Sequence, residues 1–215
     1  MIGDRESAGY LVGETTHLLR ANAGLAAAAL GLSTALGVAA DLSPGFAGLA
    51  GFASIIANLF FQYEISLALL VHYGLLEDRG GRRRMWALLG LNLLSGIAIL
   101  FGLLLLIVPG VYLMVRWSAA APALIAEDSD VTGSMTLSAE AVDGRFWHVL
   151  AALLVVWSPS VAGMLASAVA PEDQQLIGSL VLNLSLNLSL IAGWHLAVAV
   201  YAGRQTGNRL AEVFA

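Results

Sequence analysis

Long apolar stretches alternate with short polar breaks along most of this chain. Six stretches approach or exceed the roughly 20 helical residues that cross the hydrocarbon of a bilayer. They cover residues 21–40, 46–76, 85–108, 111–126, 148–170 and 176–201. The pattern predicts an all-α fold, a polytopic membrane bundle of six transmembrane helices, with residues 1–215 forming a single integral membrane domain.

Proline and glycine mark the short breaks between these stretches. The break at 109–110 consists only of Pro109 and Gly110, so we predict a tight hairpin turn there between the third and fourth helices. The fourth stretch spans only about 24 Å as a helix, and it contains Arg116 and Pro122. It could be a tilted or kinked span, or a re-entrant arm that does not cross fully. An arm returning to its starting side would place Arg145 outside, so we favour crossing.

Composition supports a membrane protein, and the distribution of charge predicts its orientation in the membrane. Apolar residues make up 59% of the chain and charged residues 12%, about half the charged share of a soluble domain. All ten basic residues are arginines, and six spans place nine of them on one side of the membrane. These nine are Arg5, Arg20, Arg79, Arg82, Arg83, Arg84, Arg145, Arg204 and Arg209. The positive-inside rule then predicts that both termini are cytoplasmic.

A cleavable signal peptide is the alternative for the first 40 residues, because Val38-Ala39-Ala40 resembles a cleavage site. The acidic residues Asp4, Glu6 and Glu14 offset Arg5, and the apolar run is longer than that of a signal peptide. We therefore favour a retained first span.

A weak internal repeat organises the chain. A polar stretch, an arginine, an apolar helix, an acidic turn with proline and a second apolar helix follow in that order from residue 4 to 73 and again from 131 to 201. Arg145 then matches Arg20. The order predicts two helix-pair repeats that flank the central hairpin, although any six-helix protein can be divided in this way.

The stretch 131–144 is polar enough to lie outside the hydrocarbon and has helical periodicity. Its apolar face is formed by Val131, Met135, Ala139, Val142 and Phe146, with Asp130 able to cap the start and Gly144 the end. We predict a cytoplasmic interfacial helix, with Arg145 and Trp147 at headgroup level. A docking surface for a partner is the alternative.

Two charged residues stand inside apolar stretches. Glu64 lies about 20 Å from the cytoplasmic end of its helix, and Arg116 about 9 Å from the Pro109-Gly110 turn. Because an isolated charge in a bilayer costs several kcal/mol, we predict a Glu64–Arg116 ion pair. The pair could only fix helix packing, or it could line a cavity in which Glu64 takes up a proton or binds a polar headgroup.

The last span carries four regularly spaced polar residues, Asn183, Ser185, Asn187 and Ser189. In a helix the asparagines share one face and the serines lie roughly opposite. A helix facing lipid would not be polar on both sides, so we predict that protein surrounds this span and that its side chains bond across helices. A polar path or a ligand contact is the alternative use of this face.

One part of the sequence resembles a known family. The run from Leu105 through Pro109-Gly110 to Arg116, followed by Ala121-Pro122-Ala123 and Gly144-Arg145-Phe146-Trp147, is similar to the central stretch of YciC-like bacterial integral membrane proteins. It also resembles the membrane domain found beside some glycerophosphoryl diester phosphodiesterases. The resemblance covers residues 103–154. It implies a six-helix bundle and brings no catalytic residue with it.

These observations leave two classes of function. We expect no enzyme, because no pair of nucleophile and base, no cofactor-binding motif and no metal-ligating set stands out, and the net charge of -5 does not favour nucleic acid. The first class is a bacterial inner-membrane protein that binds or transports a lipid-like or small amphiphilic molecule. The alternative is a structural or accessory subunit of a larger membrane complex. The expected partners are membrane lipids and, for either class, a homo-oligomer or a membrane partner protein.

Overall fold

A computed structural model of the chain describes residues 7–76, 84–127, 129–169 and 171–214, without the side chains of 172 and 206–214. Within these ranges the chain forms nine α-helices, one short 3-10 helix and no strand. The α-helices are α1 Ala8–Ala21, α2 Ala23–Leu42, α3 Ala47–His72, α4 Met85–Leu105, α5 Ile107–Arg116, α6 Ala120–Ala126, α7 Val131–Val142, α8 Phe146–Ala168 and α9 Gln175–Phe214; the 3-10 helix is Glu172–Gln174. Of the arginines used for orientation, Arg5, Arg79, Arg82 and Arg83 lie outside the described residues.

Six helical segments of the described chain are long and apolar enough to cross a membrane. They are α2, α3, α4, the pair α5 and α6 taken together, α8, and Gln175–Gln205 of α9. The all-α prediction and the number of apolar segments are therefore confirmed. The polar stretch before the first span is also helical. Ser7 caps α1 by accepting the Tyr10 N–H, and the buried face of α1 packs against α8 and α9.

Helix α9 lies at the centre of the bundle. It packs most extensively against α8 and also contacts α1, α2, α3, α6 and α7. Its residues 191–202 are almost all buried, with Leu196, Val198 and Val200 inaccessible to solvent. The first half of the span is more open, with Leu176, Ile177, Leu180, Leu184 and Leu188 exposed, so protein surrounds only the second half of the predicted span.

The turn between α4 and α5 lies at Leu106, not at Pro109-Gly110 as the sequence predicts. Leu106 is extended, and Pro109 is already the third residue of α5. Proline is tolerated there because the first N–H groups of a helix have no partner within the helix. Gly110 serves close packing instead, since a Cβ on it would lie 2.5 Å from the backbone nitrogen of Leu103 on α4.

Helix α7 confirms the predicted capping but buries its face against the protein. Asp130 accepts the Gly133 N–H at 2.7 Å, and Gly144 follows the helix with a positive φ of 78°. The buried residues are Ser134, Met135, Ser138, Ala141 and Val142, and α7 packs mainly against α6 and also against α5 and α9. The apolar face is therefore covered by neighbouring helices, and the position of α7 at the membrane interface stays a prediction.

The two halves of the predicted repeat are packed differently. Helix α1 contacts α8 and α9, whereas α7 contacts α6, α5 and α9. The arginines matched by the repeat also differ, because Arg20 is exposed and Arg145 is only 7% exposed. One likeness remains: Tyr73, directly after α3, donates to Glu14, and Tyr201, inside α9, donates to Glu127.

Candidate functional site

A partly open cavity of about 110 Å³ lies between α3, α4, the start of α6 with the bend before it, and α9. We refer to it as the polar cleft. It is lined by Gln62, Ser66, Leu91, Asn92, Ser95, Trp117, Ser118, Ala120, Ala121, Gly193, Trp194 and Ala197. Seven of these side chains carry a polar group, although the segments that supply them are apolar overall.

Helical periodicity brings the polar groups together. Gln62 and Ser66 are four residues apart on α3, and Asn92 and Ser95 are three residues apart on α4, so each pair shares one helix face. Trp117 and Ser118 follow the last residue of α5, where the chain bends before α6. Each wall of the cleft therefore comes from a different part of the sequence.

Hydrogen bonds join the side chains at the mouth of the cleft to each other and to their own helix. The Asn92 Nδ2 donates to Gln62 Oε1 at 2.7 Å, which joins α4 to α3. Ser95 donates to the Leu91 carbonyl of its own helix at 2.7 Å. Among the described residues the hydroxyl of Ser118 is buried and has no hydrogen-bond partner. A buried polar group without a partner is costly, and this hydroxyl is not accessible from the cleft.

The cleft is polar but uncharged. No Asp, Glu, Lys, Arg or His is among the described residues that line it. In a surrounding of low polarity, a neutral lining favours a neutral partner that forms hydrogen bonds, because an unpaired ion would lose its hydration. The two tryptophans add flat apolar surfaces, each with one N–H donor.

The cleft opens sideways between α3 and α4. Ser66 at its inner side is 1% exposed, whereas Asn92 is exposed. Helix α3 packs closely on α2 and only slightly on α4. Beside Asn92, the α4 side chains Leu93 and Leu94 are exposed, as expected of a helix surface that faces lipid. The mouth therefore faces the side of the bundle, not one of its ends.

Arg116 forms its ion pair with Asp143 and not with Glu64 as predicted. Arg116 is the last residue of α5, and the chain then bends toward α7, where Ser138 donates to the Arg116 carbonyl at 2.8 Å. This contact places the guanidinium beside the end of α7. Glu64 is half-buried on α3 and does not line the polar cleft. Arg116 itself is next to Trp117, which does.

The four polar residues of the last span bond within the helix bundle. Asn183 donates to Asp41 of α2 at 2.8 Å, and Asn187 donates to the Asn183 carbonyl. Ser185 packs against Gly163 of α8, and Ser189 accepts the backbone N–H of Ser160 on α8. None of the four lines the polar cleft. Their contacts match the packing role, and a polar path along this face stays untested.

A second polar network joins helices at the end of the bundle that holds α7. Glu127, which follows α6, accepts from both Tyr201 and Gln205 of α9 at 2.7 and 2.9 Å. Arg145 donates to the carbonyls of Ala141 and Val200. Sequence analysis predicts Arg145 at headgroup level, but the structure buries it in this network because two helices supply carbonyl acceptors. The network holds α6 and α9, two walls of the polar cleft, at a fixed distance.

Sequence reasoning missed Gln62, Asn92, Ser95, Trp117 and Trp194. A signal existed, since Gln62/Ser66 and Asn92/Ser95 are polar pairs at helical spacing in apolar stretches. Nothing in the sequence showed that the two pairs face each other. Taken together, the arrangement can enclose a small uncharged group and bond to it from several sides. Comparison of the chain with protein-family models, with curated proteins and with solved structures finds no match.

Proposed function

We propose that this chain is a non-enzymatic membrane protein that binds the uncharged polar head of a small amphiphilic molecule in the polar cleft. The observation that carries the proposal is the cleft itself: neutral hydrogen-bonding side chains and two tryptophans around about 110 Å³, opening sideways between α3 and α4. Binding is favoured over catalysis because the lining side chains include no ionisable group to act as acid or base.

The size of the cleft limits what it holds. Its volume of about 110 Å³ corresponds to a few water molecules at about 30 Å³ each. A group with two or three hydroxyls or an amide is of this size, whereas a whole lipid is far larger. The apolar part of the ligand would therefore remain outside, along exposed α4 residues such as Leu93 and Leu94.

The proposal includes a bacterial inner membrane with both termini in the cytoplasm. Support comes from the distribution of charge over the two ends of the bundle. Arg84, Arg145 and Arg204 lie at the end that holds α7. The opposite end holds Asp41 and no described arginine, and an arginine-rich end faces the cytoplasm.

Quenching of tryptophan fluorescence tests binding directly. The purified chain is placed in phosphatidylcholine nanodiscs and titrated with a monoacylglycerol that carries bromine on its acyl chain. We expect saturable quenching from Trp117 and Trp194 in the wild type. Asn92→Leu, which removes the polar group at the mouth, is expected to weaken binding at least tenfold. A Trp117→Phe, Trp194→Phe variant, which retains the three other tryptophans, reports the background quenching.

Two controls make the result specific. Ser167→Ala removes an exposed hydroxyl near the C-terminal end of α8, a helix that does not line the cleft. It should leave the titration unchanged. A brominated fatty acid, charged at neutral pH, should not saturate the signal. If the wild type shows no saturable quenching by the monoacylglycerol, the binding function is wrong and the accessory-subunit alternative gains support. If both amphiphiles bind equally, selection for an uncharged head is wrong.

A further inference from the structure

The tip of the α4–α5 hairpin is apolar throughout. Leu104, Leu105, Leu106, Ile107 and Val108 are each between 68% and 78% exposed. No polar side chain interrupts this run, and Pro109 and Gly110 follow it. Five consecutive exposed apolar residues at a turn are unfavourable in water.

The other two turns at that end of the bundle have a different chemistry. The α2–α3 turn contains Ser43 and Pro44, with Asp41 in the last turn of α2, and the α8–α9 connection contains Asp173 and Gln174. These residues are typical of turns in water. The apolar tip is the exception among the three connections.

Contacts of α5 show how far the tip reaches. The ring of Tyr112 stacks on that of Phe146, the first residue of α8, with centroids 5.7 Å apart. From Tyr112 to Ile107 the helix rises about 7 Å, whereas the 23 residues of α8 rise about 34 Å. Even with the reach of the two aromatic side chains added, the tip falls well short of the far end of α8.

The backbone of the tip also suits a surrounding without water. The Leu106 N–H donates to the Gly102 carbonyl at 3.1 Å. Pro109 has no N–H to satisfy in the first turn of α5. A Cβ on Gly102 would lie 2.8 Å from the Gly110 backbone, so the two glycines let the helices approach closely. Fewer backbone groups therefore need an external partner, and unsatisfied groups are costly in hydrocarbon.

We propose that the α4–α5 hairpin enters the membrane from the cytoplasmic side and returns, with its tip, residues 104–108, in contact with lipid acyl chains in the bilayer interior. Four helices, α2, α3, α8 and α9, then cross fully. Because both ends of the hairpin lie on one side, the termini remain on the same side as in a six-span topology. The inference is independent of what the polar cleft binds.

Cysteine labelling tests this topology without background substitutions, because the chain contains no cysteine. Leu106→Cys probes the tip, Gly45→Cys and Asp173→Cys probe the other two turns, and Thr136→Cys probes the exposed face of α7. Each variant is exposed to a membrane-impermeant maleimide, first in spheroplasts of a bacterial host and then in opened membranes. We expect labelling of Gly45→Cys and Asp173→Cys in spheroplasts and of Thr136→Cys only after opening. Leu106→Cys should react only after denaturation in SDS.

The outcomes that overturn the proposal are distinct. Labelling of Leu106→Cys in spheroplasts means that the hairpin crosses the membrane. Labelling in opened membranes alone means that the tip lies in cytoplasmic water. A spin label at residue 106 distinguishes a tip covered by lipid from a tip covered by protein. Accessibility to oxygen together with exclusion of a water-soluble nickel complex supports contact with acyl chains. Exclusion of both reagents shows that protein, such as a second copy of the chain, covers the tip, and contradicts the proposal.

Discussion

The hydroxyl of Ser189 on α9 accepts the backbone N–H of Ser160 on α8 at 3.1 Å. Ser160 directly follows Pro159, which lies inside α8 and cannot donate to the carbonyl four residues earlier. That carbonyl, of Val155, instead accepts from Ser158 at 2.7 Å. Ser158 of α8 and Ser189 of α9 thus act as partners for backbone groups next to the proline. Proline is tolerated in membrane helices when side chains bond to backbone groups in this way.

Removing this acceptor should weaken the α8–α9 pair. We expect Ser189→Ala to lower the free energy of unfolding by about 1 kcal/mol, because it removes a buried hydrogen bond between α8 and α9. The measurement is unfolding of the purified protein in mixed micelles of increasing SDS fraction. Ser167→Ala, which removes an exposed hydroxyl from α8, should have no measurable effect.

The same unfolding measurement shows whether the stabilising effect of Ser189 depends on Pro159. Pro159→Ala restores the N–H that α8 lacks and allows Ser160 to bond within its own helix. In that background we expect Ser189→Ala to have at most half of its original effect, a coupling of about 0.5 kcal/mol or more. Equal effects in the two backgrounds would show that Ser189 acts independently of Pro159.

Close contact between α8 and α9 depends on Gly163. A Cβ at this position would lie 2.4 Å from the Cβ of Ser185, so the helices would have to separate. We expect Gly163→Ala to destabilise the protein by about 1 to 3 kcal/mol. Gly31→Ala is the matched control, since nothing lies within 4 Å of its added Cβ, and it should be neutral or slightly stabilising. Equal stability of the two variants would contradict the tight α8–α9 contact.

The ion pair between Arg116 and Asp143 should contribute little to stability. The two side chains are 25% and 63% exposed, and such pairs are typically worth about 0.5 kcal/mol. A double-mutant cycle of Arg116→Gln with Asp143→Asn should give a coupling of this size. The cycle of Arg116→Gln with Glu64→Gln should be additive. A larger coupling to Glu64 than to Asp143 would contradict the pairing seen here.

The cap of α7 should make stability depend on pH in the acid range. Hydrogen bonds from the Gly133 N–H and then from the Thr132 hydroxyl lower the pKa of Asp130 from its ordinary value of 3.8. The stabilisation is therefore complete above pH 3.8 and is lost as the pH falls through the lower pKa of the folded state. Asp130→Asn keeps a capping side chain that does not titrate. We expect the melting temperature of the wild type to fall relative to this variant below pH 3.8; a constant difference would contradict the cap.

The sequence predicts features that depend on one segment at a time. Apolar length identifies the six segments, and local chemistry identifies the Asp130 cap and Gly144. The sequence does not predict contacts between distant segments. Periodicity places a side chain on a helix face, but it does not say which helix lies opposite. Asp41 and Ser179, 138 residues apart, form a 2.7 Å hydrogen bond that no local pattern indicates.

Two predictions failed for separate physical reasons. Proline is favoured both in turns and in the first turn of a helix, so Pro109 alone could not locate the hairpin turn. Arg116 has a long flexible side chain, and its partner depends on where the chain bends after α5. The polar cleft was missed because its walls come from four separate helices and one bend, and periodicity does not show which helices face each other.

The buried Arg145 has a consequence for the order in which this protein is assembled. Its guanidinium donates to the carbonyl of Val200, a residue synthesised 55 positions later. When α8 first enters the membrane, this acceptor does not yet exist, and the charge must stay hydrated at the surface. Only after α9 has inserted beside α8 can Arg145 leave water for its final position. Burial of this one arginine therefore marks the completion of the bundle, after α9 has been made.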